Sequence, residues 1–134
     1  MVLIQKKWGY EIWFVNTDLY CGKKLFVRNI WSSDGKFHYH KIKDETFYVI
    51  KGILELDYYD YNKEIEWRQS VINSPVSRLT NDEIKNKLVK KIFLQEGMSF
   101  RIKPYTCHRF RGYKSDCTFI EVSTHHEDSD SYYE

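Results

Sequence analysis

The stretch "GKFHYHKIKDETFYVIKG", residues 35–52, decides the fold of this chain. His38 and His40 stand one residue apart, Glu45 follows, and Gly52 closes an apolar run. Side chains alternate across a β-strand, so both imidazoles project to one face. If "KIKD" turns between two antiparallel strands, the Glu45 carboxylate comes round to that face as well. The stretch therefore predicts a cluster of metal-ligating side chains on a strand.

Short apolar runs recur along the 134 residues, separated by polar breaks. Most of them alternate or are wholly apolar over about five to eight residues, which is typical of strands. Aromatic residues make up 17% of the chain, with only 6 glycines and 2 prolines, and this composition also favours strands. We expect a single all-β domain, either a sandwich or a barrel. The runs are "YEIWFV", "KKLFVRNIW", "TFYVIKGILELDYYDY", "KEIEWRQ", "VKKIFLQ", "MSFRIK" and "CTFIEVS".

Net charge, the start of the sequence and cysteine usage indicate which partners and which cellular location to expect. The net charge is +2 with 30% charged residues, and no basic run interleaves with aromatics, so we expect no nucleic-acid partner. The start "MVLIQKKWGYEIW" is too short an apolar stretch for a signal peptide or a membrane span. The 3 cysteines form no CxxC pair, which indicates reduced thiols and a cytoplasmic location.

One segment is expected to break the run of strands. Residues 71–87 include Thr80 three positions before Glu83, the spacing of a capping box, with Ile84 and Leu88 on one helical face. This predicts a short helix or loop inserted at the rim, either a plain surface insertion or a lid over a pocket.

Two further expectations concern a turn and the tail. Asn62-Lys63 lies between two apolar runs and predicts a tight hairpin, because asparagine tolerates positive φ. Residues 126–134 form an acidic tail, partly disordered or docked on the surface through its tyrosines.

A fourth ligand has to come from far along the chain, and His108, after a proline-containing turn, is the candidate. Three imidazoles and one carboxylate suit a divalent transition metal, such as Zn, Mn, Fe or Ni, whereas Mg²⁺ and Ca²⁺ prefer oxygen ligands. The alternative is that the histidines are hydrogen-bonded structural residues.

The spacing of this cluster resembles the first motif of the cupin family. His38-x-His40, four residues, Glu45, six residues and Gly52 reproduce its core, with the leading glycine displaced to Gly35. The resemblance implies a small jelly-roll barrel in which His38, His40 and Glu45 bind a metal.

The second cupin motif is matched in register by Gly97 and His108, which implies that His108 completes the metal site. Pro104 keeps a turn one residue later than expected. The departures are Lys103 at the motif's proline, Tyr105 at its turn glycine and Gly112 at its asparagine.

The cupin resemblance covers nearly the whole chain, from "KKWGYEIW" to "FIEVSTHH", and residues 1–134 are expected to form one domain; a narrower resemblance lies within it. "WGYEIWFVNTDLYCGKKL", then HxH, "KDETFYVIKG", "HRF" and "EVST" are similar to small cupins related to mannose-6-phosphate isomerases and other sugar isomerases. It implies a carbohydrate ligand, plain or phosphorylated, and a homodimer.

Isomerisation also needs a general base that is not bound to the metal. Glu121 alternates with Phe119 on the last predicted strand and is the first candidate, because burial in a barrel raises a carboxyl pKa. His125, with its neighbour His126, is the second. A charged sugar would need cations near the mouth, and we assign Arg101 and Lys103 to substrate binding. The alternatives are a non-catalytic carbohydrate-binding cupin and an iron-dependent oxygenase.

Overall fold

The computed structural model describes residues 1–29, 36–72 and 81–133. Strands dominate this part of the chain. The strands are β1 (Val2–Lys6), β2 (Gly9–Asn16), β3 (Cys21–Val27), β4 (His38–Tyr39), β5 (Glu45–Lys51), β6 (Leu54–Asp60), β7 (Lys90–Leu94), β8 (Ser99–Ile102), β9 (Thr106–Gly112), β10 (Cys117–Ser123) and β11 (Tyr132–Tyr133). The α-helices are α1 (Tyr61–Ile72) and α2 (Asn81–Leu88), and Asp128–Asp130 forms a 3-10 turn.

The strands form two antiparallel sheets. The six-stranded sheet has the order β1-β2-β3-β10-β5-β8 and the five-stranded sheet the order β11-β4-β9-β6-β7. The all-β prediction is confirmed. Consecutive strands β4 and β5 lie in different sheets, so the chain between them crosses from one sheet to the other. This crossing brings the inward faces of both sheets to one site.

The main core lies between the sheets. Leu54 and Leu56 of β6 alternate inward and are fully buried, as are Val49 on β5 and Phe119 on β10. Phe47 packs on Phe119 with ring centroids 4.8 Å apart. These apolar side chains hold the two sheets together because the apolar area they bury is the main favourable term in folding.

A second apolar cluster lies on the outer face of the five-stranded sheet. Tyr59 and Cys107 are cross-strand partners on β6 and β9, and both are buried. Tyr61, at the start of α1, and Leu88, at the end of α2, pack against this cluster. The two helices therefore cover a part of the barrel wall that would otherwise expose aromatic side chains.

The hairpin predicted at Asn62-Lys63 is wrong. A helix starts there, because the Asp60 carboxylate accepts the backbone N–H of Asn62 at 2.8 Å and that of Lys63 at 3.2 Å, which caps α1. One turn later the Arg68 guanidinium binds the buried Glu64 carboxylate, an i,i+4 pair. The run "KEIEWRQ", which we interpreted as a strand, is part of this helix.

The rim insertion predicted at 71–87 falls partly outside the described residues, which omit 73–80 and with them Thr80 of the proposed capping box. Its described parts are the end of α1 and most of α2. Glu83 is exposed on α2, and Leu88 packs on the second apolar cluster. The rim position and the lid stay predictions, as does the domain assignment.

The backbone conformation and the close packing at position 52, the end of the first cupin motif, require a glycine. Its φ is +84°, and a Cβ added there would meet the Asp116 carbonyl oxygen at 2.2 Å. Gly97 has nearly the same φ, +82°, but a Cβ there would meet nothing within 4 Å. Gly97→Ala is therefore a matched control that carries the conformational strain alone, about 1–2 kcal/mol.

We expect Gly52→Ala to lower the free energy of unfolding by about 1–3 kcal/mol more than Gly97→Ala, the typical cost of overpacking. Urea unfolding of both variants measures the difference. Equal losses would show that the backbone of Asp116 moves freely away from residue 52.

The tail predicted at 126–134 is described up to residue 133 and folds back onto the barrel, where β11 pairs with β4. All 3 cysteines lie in the described part of the chain and none forms a disulfide. Among the described residues, neither helix has the length and apolar character needed to cross a membrane. The cytoplasmic location and the homodimer stay predictions.

Candidate metal centre

The predicted histidine cluster forms on the inner face of the five-stranded sheet. His38 on β4 and His108 on β9 are cross-strand partners, with ring centroids 4.1 Å apart. His40 follows two positions after His38 on the same face, and their ring centroids are 5.4 Å apart. One ligand nitrogen from each ring lies within 4.8 Å of the others. The structure thus brings three imidazoles together as a group that could hold one metal ion.

Backbone carbonyls fix the tautomers of two of these rings. His40 Nδ1 lies 3.0 Å from the Asp130 carbonyl oxygen, and His108 Nδ1 lies 3.0 Å from the Thr106 carbonyl oxygen. A carbonyl only accepts, so each Nδ1 carries the hydrogen and donates it, which directs Nε2 toward the cluster. This is the usual outer hydrogen bond of a metal-binding histidine.

The cluster favours neutral rings. Burial lowers the pKa of His40 to about 4, and it holds the pKa of His38 well below its usual value. A metal ligand has to be the neutral imidazole. Two of the predicted ligands are therefore already in the protonation state that a divalent cation requires.

Glu45 reaches the cluster from the opposite sheet. Its strand β5 pairs with β10 and β8, so "KIKD" is a crossing between sheets and the predicted antiparallel turn is wrong. The carboxylate nonetheless meets the histidines, because Glu45 Oε1 lies 3.0 Å from His108 Nε2. Both atoms are acceptors when His108 is neutral, and a cation bound between them would satisfy both. The donor set present thus fits a metal ion.

Lys43 links Glu45 to a second buried carboxylate. Its Nζ lies 3.0 Å from Glu45 Oε2 and 2.7 Å from Glu121 Oε2. Burial would lower the pKa of Lys43, but the charges of Glu121 and Glu45 outweigh it and raise the pKa. For Glu45, burial is likewise outweighed, chiefly by the Lys43 charge, and its pKa lies well below the usual range. Lys43 is therefore a permanent ammonium between two carboxylates.

Glu121 belongs to a row of side chains across the inner face of the six-stranded sheet. Cross-strand pairing places Phe47, Glu121, Lys23 and Trp13 next to one another on β5, β10, β3 and β2. Lys23 Nζ lies 3.7 Å from Glu121 Oε2 and 4.2 Å from the centre of the Trp13 ring. Burial and the nearby Glu45 charge raise the pKa of Glu121 against the opposing effect of Lys43 and Lys23.

His126 contacts the lysines in and beside this row. Its Nδ1 lies 3.2 Å from both Lys43 Nζ and Lys23 Nζ, and its Nε2 lies 2.9 Å from Asp128 Oδ1. An ammonium only donates, so Nδ1 accepts and Nε2 carries the hydrogen that Asp128 receives. Burial and the two lysine charges lower the pKa of His126. The ring is therefore neutral and oriented by three charged neighbours.

These groups line one cavity of about 520 Å³ that opens to solvent. That volume is within the usual range for small-molecule sites. Its walls combine four histidines, two tryptophans and paired charges. The lining residues are Ile4, Lys6, Trp8, Glu11, Trp13, Lys23, Leu25, Lys36, His38, His40, Lys43, Phe47, His108, Phe110, Glu121, His126, Asp128, Ser131 and Tyr133.

Comparison with known proteins gives the family. The family model for D-lyxose isomerase matches residues 11–134. The chain belongs to the D-lyxose isomerase family. A search of curated protein sequences found no match. The resemblance to sugar-isomerase cupins is confirmed.

Solved structures of the same fold are distant in sequence. KdgF from Halomonas sp. is 14% identical over 96% of this chain and 90% of its own, with a TM-score of 0.65. The capsular polysaccharide assembling protein CapF from Staphylococcus aureus is 14% identical over 98% of this chain, with a TM-score of 0.70, and the chain spans 31% of CapF. Oxalate decarboxylase from Lactobacillus farciminis is 10% identical, with 98% of this chain and 32% of its own covered and a TM-score of 0.64. These similarities confirm the cupin fold.

Three residues predicted for substrate binding or catalysis lie away from the cavity lining. Arg101 is on β8 with its side chain 58% exposed, and its guanidinium binds the Asp44 carboxylate at 2.6 Å. Lys103 follows the same strand and is exposed. Alternation explains both positions, because Ile102 between them is the residue that points into the core. Their placement gives no support to the predicted substrate-binding role.

His125 also lies outside the cavity lining, while its neighbour His126 is part of it. His125 Nδ1 donates to the Thr17 carbonyl at 2.7 Å, and its Nε2 lies 3.4 Å from Glu127. The strand β10 ends at Ser123, so strand alternation does not decide which of the two histidines turns inward.

Sequence reasoning missed Lys43, Lys23 and Asp130. A signal for Lys43 was present, since it stands two positions before Glu45 and extends the same inward alternation. Lys23 is identifiable only once the pairing of β3 with β10 is known. Asp130 carries no local signal, because its partners lie 87 to 89 positions away in the chain.

Proposed function

We propose that this protein is a metal-dependent isomerase that interconverts an unphosphorylated aldose, such as D-lyxose, with its ketose. The observation that carries the proposal is a buried carboxylate, Glu121, held beside the histidine cluster by the Lys43 ammonium inside an open cavity. Membership of the D-lyxose isomerase family supports it. Isomerisation needs one group that moves a carbon-bound proton and one that serves the carbonyl oxygen. The cavity contains both kinds of group.

The histidine cluster and Glu45 are proposed to hold one divalent transition metal. His38, His40 and His108 would each give one nitrogen and Glu45 one oxygen, a set that suits Zn²⁺, Mn²⁺, Fe²⁺ or Ni²⁺. When bound, such an ion polarises the substrate carbonyl and stabilises the negative charge that develops on its oxygen. The chain's own residues would perform the proton transfers.

Glu121 is proposed as the base that moves the carbon-bound proton. It would take the proton from C2 of the open-chain aldose, which leaves the C1–C2 double bond of the enediol, and then give C1 a proton that has had time to exchange with solvent. A base of this kind works best when its pKa lies close to the working pH. The raised pKa of Glu121, caused by burial and the Glu45 charge, supports this role. One carboxylate therefore takes a proton from C2 and gives a proton to C1, and no oxidant or reductant is needed.

Lys43 is proposed to serve the oxygens. As the C1 carbonyl becomes a hydroxyl, its oxygen gains a proton, and as C2 becomes the new carbonyl, the C2 hydroxyl loses one. The Lys43 ammonium lies 2.7 Å from the proposed base and 3.0 Å from the proposed ligand Glu45, so it lies between the base and the residues that would hold the metal. As a permanent ammonium it would donate hydrogen bonds to both oxygens while the proton that leaves the C2 hydroxyl passes to the C1 oxygen.

The opposite wall would bind the sugar hydroxyls. Both inner lysines are already paired with carboxylates, Lys43 with Glu121 and Lys23 with Glu121 and Glu11. Paired charges of this kind bind hydroxyl groups well but leave little net attraction for a phosphate. Trp13 adds an apolar ring beside Lys23, suited to the C–H face of a sugar. We therefore propose an uncharged monosaccharide as the substrate.

Turnover in D₂O tests the proposal directly. Protein reloaded with Mn²⁺, Zn²⁺, Fe²⁺ or Ni²⁺ is incubated with D-lyxose and a panel of other free aldoses, and products are followed by NMR. We expect ketose formation with deuterium at C1, because the proton on the base exchanges with solvent. Phosphorylated sugars serve as the comparison and should react more slowly. Saturable sugar binding with neither ketose nor deuterium would replace this proposal with a non-catalytic carbohydrate-binding cupin.

A further inference from the structure

The buried Asp130 carboxylate accepts hydrogen bonds from three consecutive backbone N–H groups. Its Oδ1 lies 3.0 Å from the nitrogen of Lys41, its Oδ2 lies 3.0 Å from that of Lys43, and the nitrogen of Ile42 is 3.2 Å from Oδ2 and 3.3 Å from Oδ1. Residues 41–44 lie outside any strand, so their N–H groups have no sheet ladder. Successive N–H groups that converge in this way form an anion-binding concavity, and here the anion is a side chain of the same protein.

Other contacts from the same part of the tail hold the residues just before this loop. We call residues 127–133 the C-terminal strap. In β11, Tyr133 pairs with His38 and Tyr132 pairs with Tyr39, and the Asp130 carbonyl accepts the Nδ1 hydrogen of His40. The strap therefore contacts every position from 38 to 43, the segment that carries two proposed metal ligands and Lys43.

We propose that the C-terminal strap is a positioning device for the metal site, with the Asp130 carboxylate as its anchor. The carboxylate fixes the backbone of the crossing between β4 and β5, and that backbone sets the direction of the His40 ring on one side and of the Lys43 ammonium on the other. Asp130 lines no part of the cavity and acts only through these residues. The inference rests on the metal site of the proposed function, but its tests use no sugar.

Metal affinity is the first test. Asp130→Ala is expected to bind Zn²⁺ about 10–100-fold more weakly than the unmodified protein, the usual effect of removing a group that orients metal ligands. Competition with a chromophoric chelator, well below the melting temperature, measures the dissociation constant. Asp130→Asn keeps one acceptor oxygen and should recover part of the affinity.

Two controls separate positioning from stability. Leu94→Ala removes a buried core side chain outside the cavity lining and should lower the melting temperature with unchanged Zn²⁺ affinity. Glu127→Ala removes a carboxylate of the strap that is 62% exposed and should change neither. An Asp130→Ala variant that loses melting temperature but binds Zn²⁺ as tightly as Leu94→Ala would overturn the proposal.

Amide hydrogen exchange in the metal-free protein is the second test. The amides of Lys41, Ile42 and Lys43 should exchange about 10-fold faster or more in Asp130→Ala, because each loses a bond to a charged acceptor. Amides in the main core should be unaffected. Unchanged exchange at the three amides would also overturn the proposal, even if the protein proved to bind no metal. Failure to isomerise any sugar, by contrast, would leave both tests standing.

Discussion

Replacing His38 and His108 together with alanine is expected to abolish metal binding. The two rings belong to neighbouring strands, with centroids 4.1 Å apart, and their removal takes away two of the three clustered nitrogens. Two remaining protein ligands do not hold a divalent transition metal against dilution, because such sites use three or four. Elemental analysis should therefore fall from one ion per chain to near zero.

His125→Ala is the matched control for this double substitution. It removes an imidazole that lies outside the cavity lining and donates to the Thr17 carbonyl, so metal content should stay at one ion per chain. Circular dichroism of both proteins checks that the sheets are intact. An unchanged metal content in the double variant, with the fold preserved, would show that this cluster is not the metal site. Glu45 would then have no role as a ligand.

The histidine cluster was predictable because it depends on a local rule. His38 and His40 share a face through strand alternation alone, and the motif spacing added Glu45 and His108. The sheet from which Glu45 reaches the histidines was not predictable in this way. Glu45 approaches from the opposite sheet, and the sheet order that separates β4 from β5 depends on pairings between strands far apart in sequence.

The strand and hairpin wrongly predicted after Asp60 have a different physical origin. The segment after Asp60 alternates like a strand, yet the Asp60 side chain caps a helix there, and tertiary contacts of Tyr61 with the second apolar cluster stabilise it. Alternation over a few residues does not distinguish a strand from a short helix. Arg101 lies away from the cavity lining for a simpler reason, since its neighbour Ile102 occupies the inward position.

Glu121→Gln is expected to lower kcat for isomerisation by about 10²- to 10⁴-fold, the usual cost of removing a general base. Glutamine keeps the shape of the side chain and an oxygen for Lys43 but cannot take a proton at neutral pH. Lys43 Nζ lies 2.7 Å from the present carboxylate, so the amide oxygen can keep that contact. KM should change little, since the cavity wall is preserved.

Two measurements make this result specific to proton transfer. Metal content should stay at one ion per chain, because Glu121 is separated from the proposed ligands by Lys43. Deuterium incorporation at C1 should fall with the same factor as kcat, because both depend on the same base. A loss of metal together with activity would instead indicate that Glu121 supports the ligand set.

Glu11→Gln supplies the matched control within the cavity. It is the same carboxylate-to-amide change, at a residue that accepts a hydrogen bond from Trp13 at 2.9 Å and lies 3.9 Å from Lys23. Its loss of kcat should be far smaller, because Glu11 has no contact with Lys43. If the two variants lose kcat equally, the effect comes from the charge of the cavity as a whole and Glu121 has no special role.

The alternative base inside the cavity lining is His126. Its Nδ1 accepts from both inner lysines, and its pKa is lowered, so the ring is a neutral proton acceptor inside the same cavity. If deuterium exchange survives Glu121→Gln and is lost in His126→Gln, the carbon-bound proton passes to the imidazole and the Glu121 carboxylate only holds Lys43 in place. The reverse pattern, loss with Glu121→Gln and retention with His126→Gln, is the one we expect, because Glu121 combines a raised pKa with direct contact to the ammonium that would serve the substrate oxygen.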